Sequence, residues 1–121
     1  GVEIPFPIIA DLNKDVATLY GMVNPGESKT ETSRAVFIID DKQIVRAIIY
    51  YPLTTGRNMK EILRVVQALQ TTDNNGVATP ANWEPGDQVI MPPPKTAEDA
   101  QARAEDEEFD CKDWYFCKKD L

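Results

Sequence analysis

The densest apolar patterning in the chain runs from residue 33 to residue 69, and its period changes along the way. Residues 35–39 form a nearly unbroken β-branched and aromatic run, which predicts a strand buried on both faces. Asp40, Asp41, Lys42 and Gln43 predict a polar turn, and residues 44–51 return as a second strand carrying a lone Arg46. The pair reads as an antiparallel hairpin. Pro52 closes the second strand, and Asn58 with Glu61 three residues on gives a capping-box signature. Met59, Ile62, Leu63, Val66 and Leu69 then share one face at helical spacing, so a helix is expected to lie on the sheet.

The flanking segments are read in the same way. Residues 6–10 are apolar and predict a strand, after which Asn13 is expected to cap a short helix with Val16, Ala17, Leu19 and Tyr20 on its apolar face and Gly21 as its stop. Residues 22–32 form a polar loop around the turn signal Asn24-Pro25-Gly26. The order is β-α-β-β-α. Beyond Leu69 the texture changes: residues 71–76 read as a polar loop. Residues 78–94, broken by Pro80, Pro85 and three consecutive prolines, read as an irregular segment anchored by Trp83 and Val89-Ile90-Met91. Thr96 with Asp99 starts a short helix to Glu105, and the acidic run 105–108 reads as a solvated face. Residues 109–121 carry three consecutive aromatics between Cys111 and Cys117, a pattern foreign to disordered tails, so this end is expected to dock.

Composition narrows the chemistry. The 121 residues are 42% hydrophobic and 27% charged, which fits one soluble globular unit with a tail. A formal charge of −7 argues against nucleic acid, since phosphate binding needs concentrated cations. The apolar runs are too short to cross a membrane, and no signal peptide opens the sequence, so a cytoplasmic setting without a membrane partner is expected. There is no histidine, which removes imidazole base catalysis, Ser-His and Cys-His nucleophiles, and the commonest zinc ligand. Carboxylate, arginine, lysine or thiol chemistry remains.

Two cysteines are too few for a disulfide framework or a four-sulfur metal site within one chain. They read either as a local disulfide or inert thiols, or as a redox pair. Lys112, Lys118 and Lys119 favour a thiolate there, while Asp110 and Asp113 oppose it. Arg34 precedes the first hairpin strand, and Arg57 precedes the helix cap. A cation at a helix N-terminus opposes the macrodipole, so Arg57 is explained either by an approaching anion or thiolate or as an idle surface charge.

Taken in order, FPIIAD, SRAVFIID, TTGRNMKEILRVVQALQ, ATPANWEPGDQVI and DCKDWYFC resemble the peroxiredoxins, specifically the one-Cys-like archaeal and bacterial type, from about Ile4 to Cys117. The resemblance implies an α/β chain forming the C-terminal part of a thioredoxin-like fold with an extended C-terminal arm. It also implies a thiol-dependent peroxidase reducing hydrogen peroxide and organic hydroperoxides in antioxidant defence, with no cofactor and no metal. A peroxidatic cysteine attacks the hydroperoxide and becomes a sulfenic acid, later reduced through a disulfide. On this match Arg34 stabilises the thiolate and binds peroxide oxygen, Arg57 supports the same pocket, Cys117 is the resolving thiol and Cys111 an accessory thiol able to exchange a disulfide with it. The implied partners are a hydroperoxide, a thiol reductant and further copies of the chain in a dimer-based oligomer.

One departure matters. The family's peroxidatic cysteine lies in a Pro-x-x-x-Thr/Ser-x-x-Cys motif, which this sequence does not contain. With an opening that lacks methionine and enters almost directly into a strand, the chain is expected to be the C-terminal portion of a longer peroxiredoxin, inactive alone. Residues 1–70 would be the end of the thioredoxin-like domain and 71–121 the arm. Two other readings stand beside this one: a non-catalytic, self-associating interaction module, and a dithiol carrier whose five-residue spacing departs from Cys-x-x-Cys.

Overall fold

A computed structural model describes residues 1–26, 28 and 31–121. The chain forms two compact units, Gly1–Arg57 and Asn58–Leu121.

In the first unit, helix α1 (Asp15–Leu19) precedes strands β1 (Arg34–Ile39) and β2 (Val45–Tyr51). The strands pair antiparallel from Arg34 opposite Tyr51 to Ile39 opposite Val45, with a register irregularity between Ile38 and Ile39. The turn is organised by Asp40, whose carboxylate accepts the N–H groups of Lys42 and Ile44, both at 2.9 Å, while Arg46 donates to it at 3.2 Å. Extra bonds to the charged form hold the Asp40 carboxyl below its ordinary value; the Ile44 N–H is the largest cause, ahead of the Arg46 and Lys42 contributions. The expected hairpin is therefore present. Burial on both faces is not: β1 is half-buried with exposed ends, because a lone antiparallel pair covers only part of its own apolar surface.

The expected strand at residues 6–10 does not form. Strands exist as hydrogen-bonded ladders, and no described segment pairs with this one, so Phe6, Ile8 and Ile9 lie outside any regular element and are exposed. The short helix does form, but Asn13 does not cap it. Asp11 does, accepting the N–H of Val16 at 3.0 Å on one carboxylate oxygen and that of Ala17 at 2.9 Å on the other. The chain reaches this geometry through left-handed backbone at Asp11 and Lys14. A path of rings then joins helix to sheet: Tyr20 meets Phe37 edge-on at 4.9 Å, Phe37 meets Tyr50 at 5.9 Å, and the Tyr50 hydroxyl donates to the Tyr20 carbonyl at 3.0 Å. The polar loop expected over residues 22–32 lies partly outside the described residues; within it, Val23 bridges Thr32.

The second unit opens with helix α2 (Met59–Asn75). Asn58 caps it through Lys60 and Glu61 N–H groups, as the capping signature predicts. The helix does not stop at Leu69: residues 71–75, expected as loop, continue it, since nothing before Gly76 forbids helical backbone. Gly76 ends it at φ 63°, a left-handed cap suited to glycine. Near the end, Thr72 donates back to the Leu69 carbonyl and Asn75 to that of Thr71. On the opposite turn, Glu61 and Arg64 form a two-pronged pair at 2.6 and 2.8 Å, and Arg64 also donates to the Trp83 carbonyl at 3.1 Å. The Arg64 guanidinium lowers the Glu61 carboxyl, and the Glu61 carboxylate in turn raises Arg64.

Ala68 packs with Trp83 and Val89 in a small core that Val77 and Met91 extend. Trp83 is 3% exposed, and its indole N–H is satisfied by the Asp87 carbonyl at 3.0 Å. The anchoring expected of Trp83 is thus realised. The segment around it is not wholly irregular, because β3 (Val89–Ile90) joins a three-stranded sheet with β4 (Asp110–Asp113) and β5 (Phe116–Lys119) in the order β3-β5-β4. Between them runs α3 (Ala97–Glu105), capped by Thr96 through the Asp99 N–H at 3.1 Å. Arg103 of this helix donates to the Pro92 carbonyl and stands 5.4 Å over the Phe109 ring, with Lys119 at the same distance from that ring. The terminal aromatic segment is accordingly structured, as a hairpin whose tip is Trp114-Tyr115.

Candidate functional site

Two places carry the chemistry expected from the sequence, one in each unit. In the first unit, Arg34 begins β1 and is exposed. It borders an open cleft of about 690 Å³ whose wall includes Asp11, Val16, Ala17, Glu31 and Leu53. Helix α1 supplies the apolar floor through Val16 and Ala17, and the Asp11 carboxylate caps the first turn of that helix. Two cations, Lys14 and Arg34, and two carboxylates, Asp11 and Glu31, thus meet around an apolar floor, an arrangement able to receive a small polar molecule at the Arg34 guanidinium. Arg57 is also exposed, in the segment that follows the turn closed by Thr55 N–H on the Pro52 carbonyl. It does not line this cleft.

In the second unit, Cys111 and Cys117 stand directly opposite each other on β4 and β5 and are joined by a disulfide, with Cα atoms 4.0 Å apart. The two thiols are therefore bonded to each other within the chain. The two ends differ in environment: Cys117 is 1% exposed in the central strand, whereas Cys111 is half-buried on the outer one. Trp114 and Tyr115, stacked edge-on at 5.5 Å, project from the turn that the bond closes, each more than half exposed.

Sequence reasoning found Arg34 and the cysteine pair but missed Asp11 and Glu31. Asp11 stands one residue past the apolar run read as a strand; its spacing ahead of Val16 and Ala17 was the available signal. Among the described residues no group of three or more His, Cys, Asp or Glu side chains is placed to hold a metal ion, and no helix is long and apolar enough to cross a membrane.

Comparison with known proteins defines first the class. The fold resembles the yeast mitochondrial 1-Cys peroxiredoxin, studied for thiol resolution via glutathione/thioredoxin systems, with a TM-score of 0.80 and 42% identity over 97% of this chain and 57% of that one. It also resembles a cysteine-to-serine mutant of peroxiredoxin 6 from Arenicola marina, with a TM-score of 0.78 and 40% identity over 100% of this chain and 59% of that one. The chain therefore has the α/β, thioredoxin-like architecture of these enzymes.

The sequence agrees along the chain. Residues 2–48 match the AhpC/TSA family, and residues 68–107 match the C-terminal domain of 1-Cys peroxiredoxin. A peroxiredoxin of Aquifex aeolicus is 58% identical over 98% of this chain, and one of Methanosarcina mazei is 54% identical over 98%. The chain belongs to the peroxiredoxin family. It spans 58% and 55% of the lengths of these two relatives.

Proposed function

We propose that the chain serves as part of a thiol-dependent peroxidase that reduces hydrogen peroxide and organic hydroperoxides. The observation that carries this reading is Arg34 at the rim of an open cleft, in a chain 58% identical to a peroxiredoxin. A guanidinium there holds a neighbouring thiol as thiolate and donates to peroxide oxygens as negative charge develops on them. Arg57 supports that charge from the next segment. The attacking cysteine is supplied from outside these 121 residues, because the family motif that carries it is not in the sequence and both cysteines present are bonded to each other.

In this reading Cys117 resolves the sulfenic acid, Cys111 exchanges with it, and the electrons come from a thiol reductant in the cytoplasm. Residues 1–70 complete a thioredoxin-like domain and 71–121 form its arm, within a dimer-based oligomer. The test is peroxide consumption coupled to a thiol reductant. The chain alone consumes none. Joined behind the upstream half of the Aquifex aeolicus relative it turns over peroxide, and Arg34→Met lowers that rate by about a hundredfold, the cost of removing one donor to developing charge. Turnover by the chain alone that survives Cys111→Ser with Cys117→Ser, or an Arg34→Met chimera at full rate, overturns the reading.

A second reading rests on exposed apolar side chains. Phe6, Ile8, Ile9, Leu12 and Leu19 all stand open in the first unit, which suits a self-associating module. Sedimentation of a folded monomer at high concentration removes it.

A further inference from the structure

We infer that an external thiol reduces the Cys111–Cys117 bond by attack at Cys111, with Cys117 as the leaving sulfur. The inference goes beyond the peroxidase reading and does not depend on it. It stands on the unequal seating of the two cysteines. Cys117 lies in β5, paired on one side with β3 through Val89 and Ile90 and on the other with β4. Its carbonyl accepts the Met91 N–H at 2.9 Å, and the residue is 1% exposed. Cys111 lies in β4, which among the described residues pairs only with β5; the ladder is irregular between Cys111 and Asp113, and the residue is half-buried.

Thiol–disulfide exchange is a displacement at sulfur, in which the attacking thiolate approaches in line with the bond that breaks. Attack at Cys117 requires entry from the interior side of the central strand. Attack at Cys111 requires entry only from the outer edge of the sheet. Leaving-group strength scales the rate of a reachable displacement, but a nucleophile that cannot get in line does not react, so access decides between the two sulfurs.

The step balances as follows. The incoming thiolate forms a sulfur–sulfur bond to Cys111 as the Cys111–Cys117 bond breaks, and the pair of electrons leaves on Cys117, which takes up a proton. A second thiolate then displaces Cys111 from the mixed disulfide. Cys111 takes up a proton in turn, and the external thiol leaves as its own disulfide. Two external thiols are oxidised and one protein disulfide is reduced.

The test uses the oxidised 121-residue chain and glutathione below one equivalent, quenched in acid within seconds, with the released thiol then capped by N-ethylmaleimide. Cleavage after Lys112 places the two cysteines on separate peptides for mass spectrometry. The expected result is glutathione on Cys111 and maleimide on Cys117, in at least about tenfold excess over the reverse pattern, as a barrier difference of 1.4 kcal/mol produces. Glutathione on Cys117, an even division, or no adduct under conditions that reduce a small-molecule disulfide overturns the inference. No peroxide enters the assay, so the result is separable from that of the peroxidase test.

Discussion

The hydroxyl of Tyr50, on β2, donates to the backbone carbonyl of Tyr20, just past α1, at 3.0 Å. Thirty residues separate the two, and this bond with the Phe37 ring between them ties the helix to the hairpin. Tyr50→Phe keeps the ring contact and removes only the donor. The expected loss is about 1 kcal/mol of stability, the usual net worth of such a bond, measured as a lower denaturant midpoint. An unchanged midpoint with unchanged slope would show that α1 is held by its Asp11 cap and ring packing alone.

Trp83 carries a heavier load in the second unit. It is almost wholly buried against Ala68 and Val89, and its N–H is satisfied. Trp83→Ala leaves a large cavity and is expected to cost about 3–5 kcal/mol, followed by circular dichroism during denaturant unfolding. A cost under 1 kcal/mol would mean that this core is not what stabilises the unit.

Acid should weaken the hairpin through Asp40. Its carboxyl is held below the ordinary 3.8, first by the Ile44 N–H and further by Arg46 and Lys42. A carboxyl depressed by folding contributes stability that is fully present above the unfolded value and is lost as pH falls through the folded one. Wild type is therefore more stable than Asp40→Asn at neutral pH, and the gap closes as pH drops below about 3.8. Urea midpoints of the two proteins across this range check the sign; a gap that stays constant or widens in acid refutes it.

The Cys111–Cys117 bond closes a short loop, with a sequence separation of 6. Loop entropy at that length predicts a loss of about 2 kcal/mol on reduction. The Cys111→Ser, Cys117→Ser double variant should unfold at the midpoint of the reduced protein. Matching midpoints for oxidised and reduced chains would contradict this.

Local signals carried much of this architecture. The hairpin, both capped helices and the anchoring role of Trp83 follow from side chains that act within a few residues of themselves, such as Asn58 on Lys60 and Glu61. What local patterning misjudged was pairing. Residues 6–10 have strand composition but no ladder, and the two-residue β3 is a strand because β5, nearly thirty residues on, and Ala78 lie beside it. The site divides likewise. Arg34 is marked by a resemblance rather than by its position, which alone favours an idle surface charge. Asp11 and Glu31 reach the same cleft only through the chain path around α1.

Asp11 also limits how that cleft can be altered. The carboxylate that borders it is the one that ties down the first turn of α1 through Val16 and Ala17, and those two residues form its floor. A substitution at Asp11 intended to change what enters would release the floor along with the wall. Selection or design that reshapes this opening has freer ground at Glu31 and Leu53, where a new side chain changes the entrance and leaves the helix anchored.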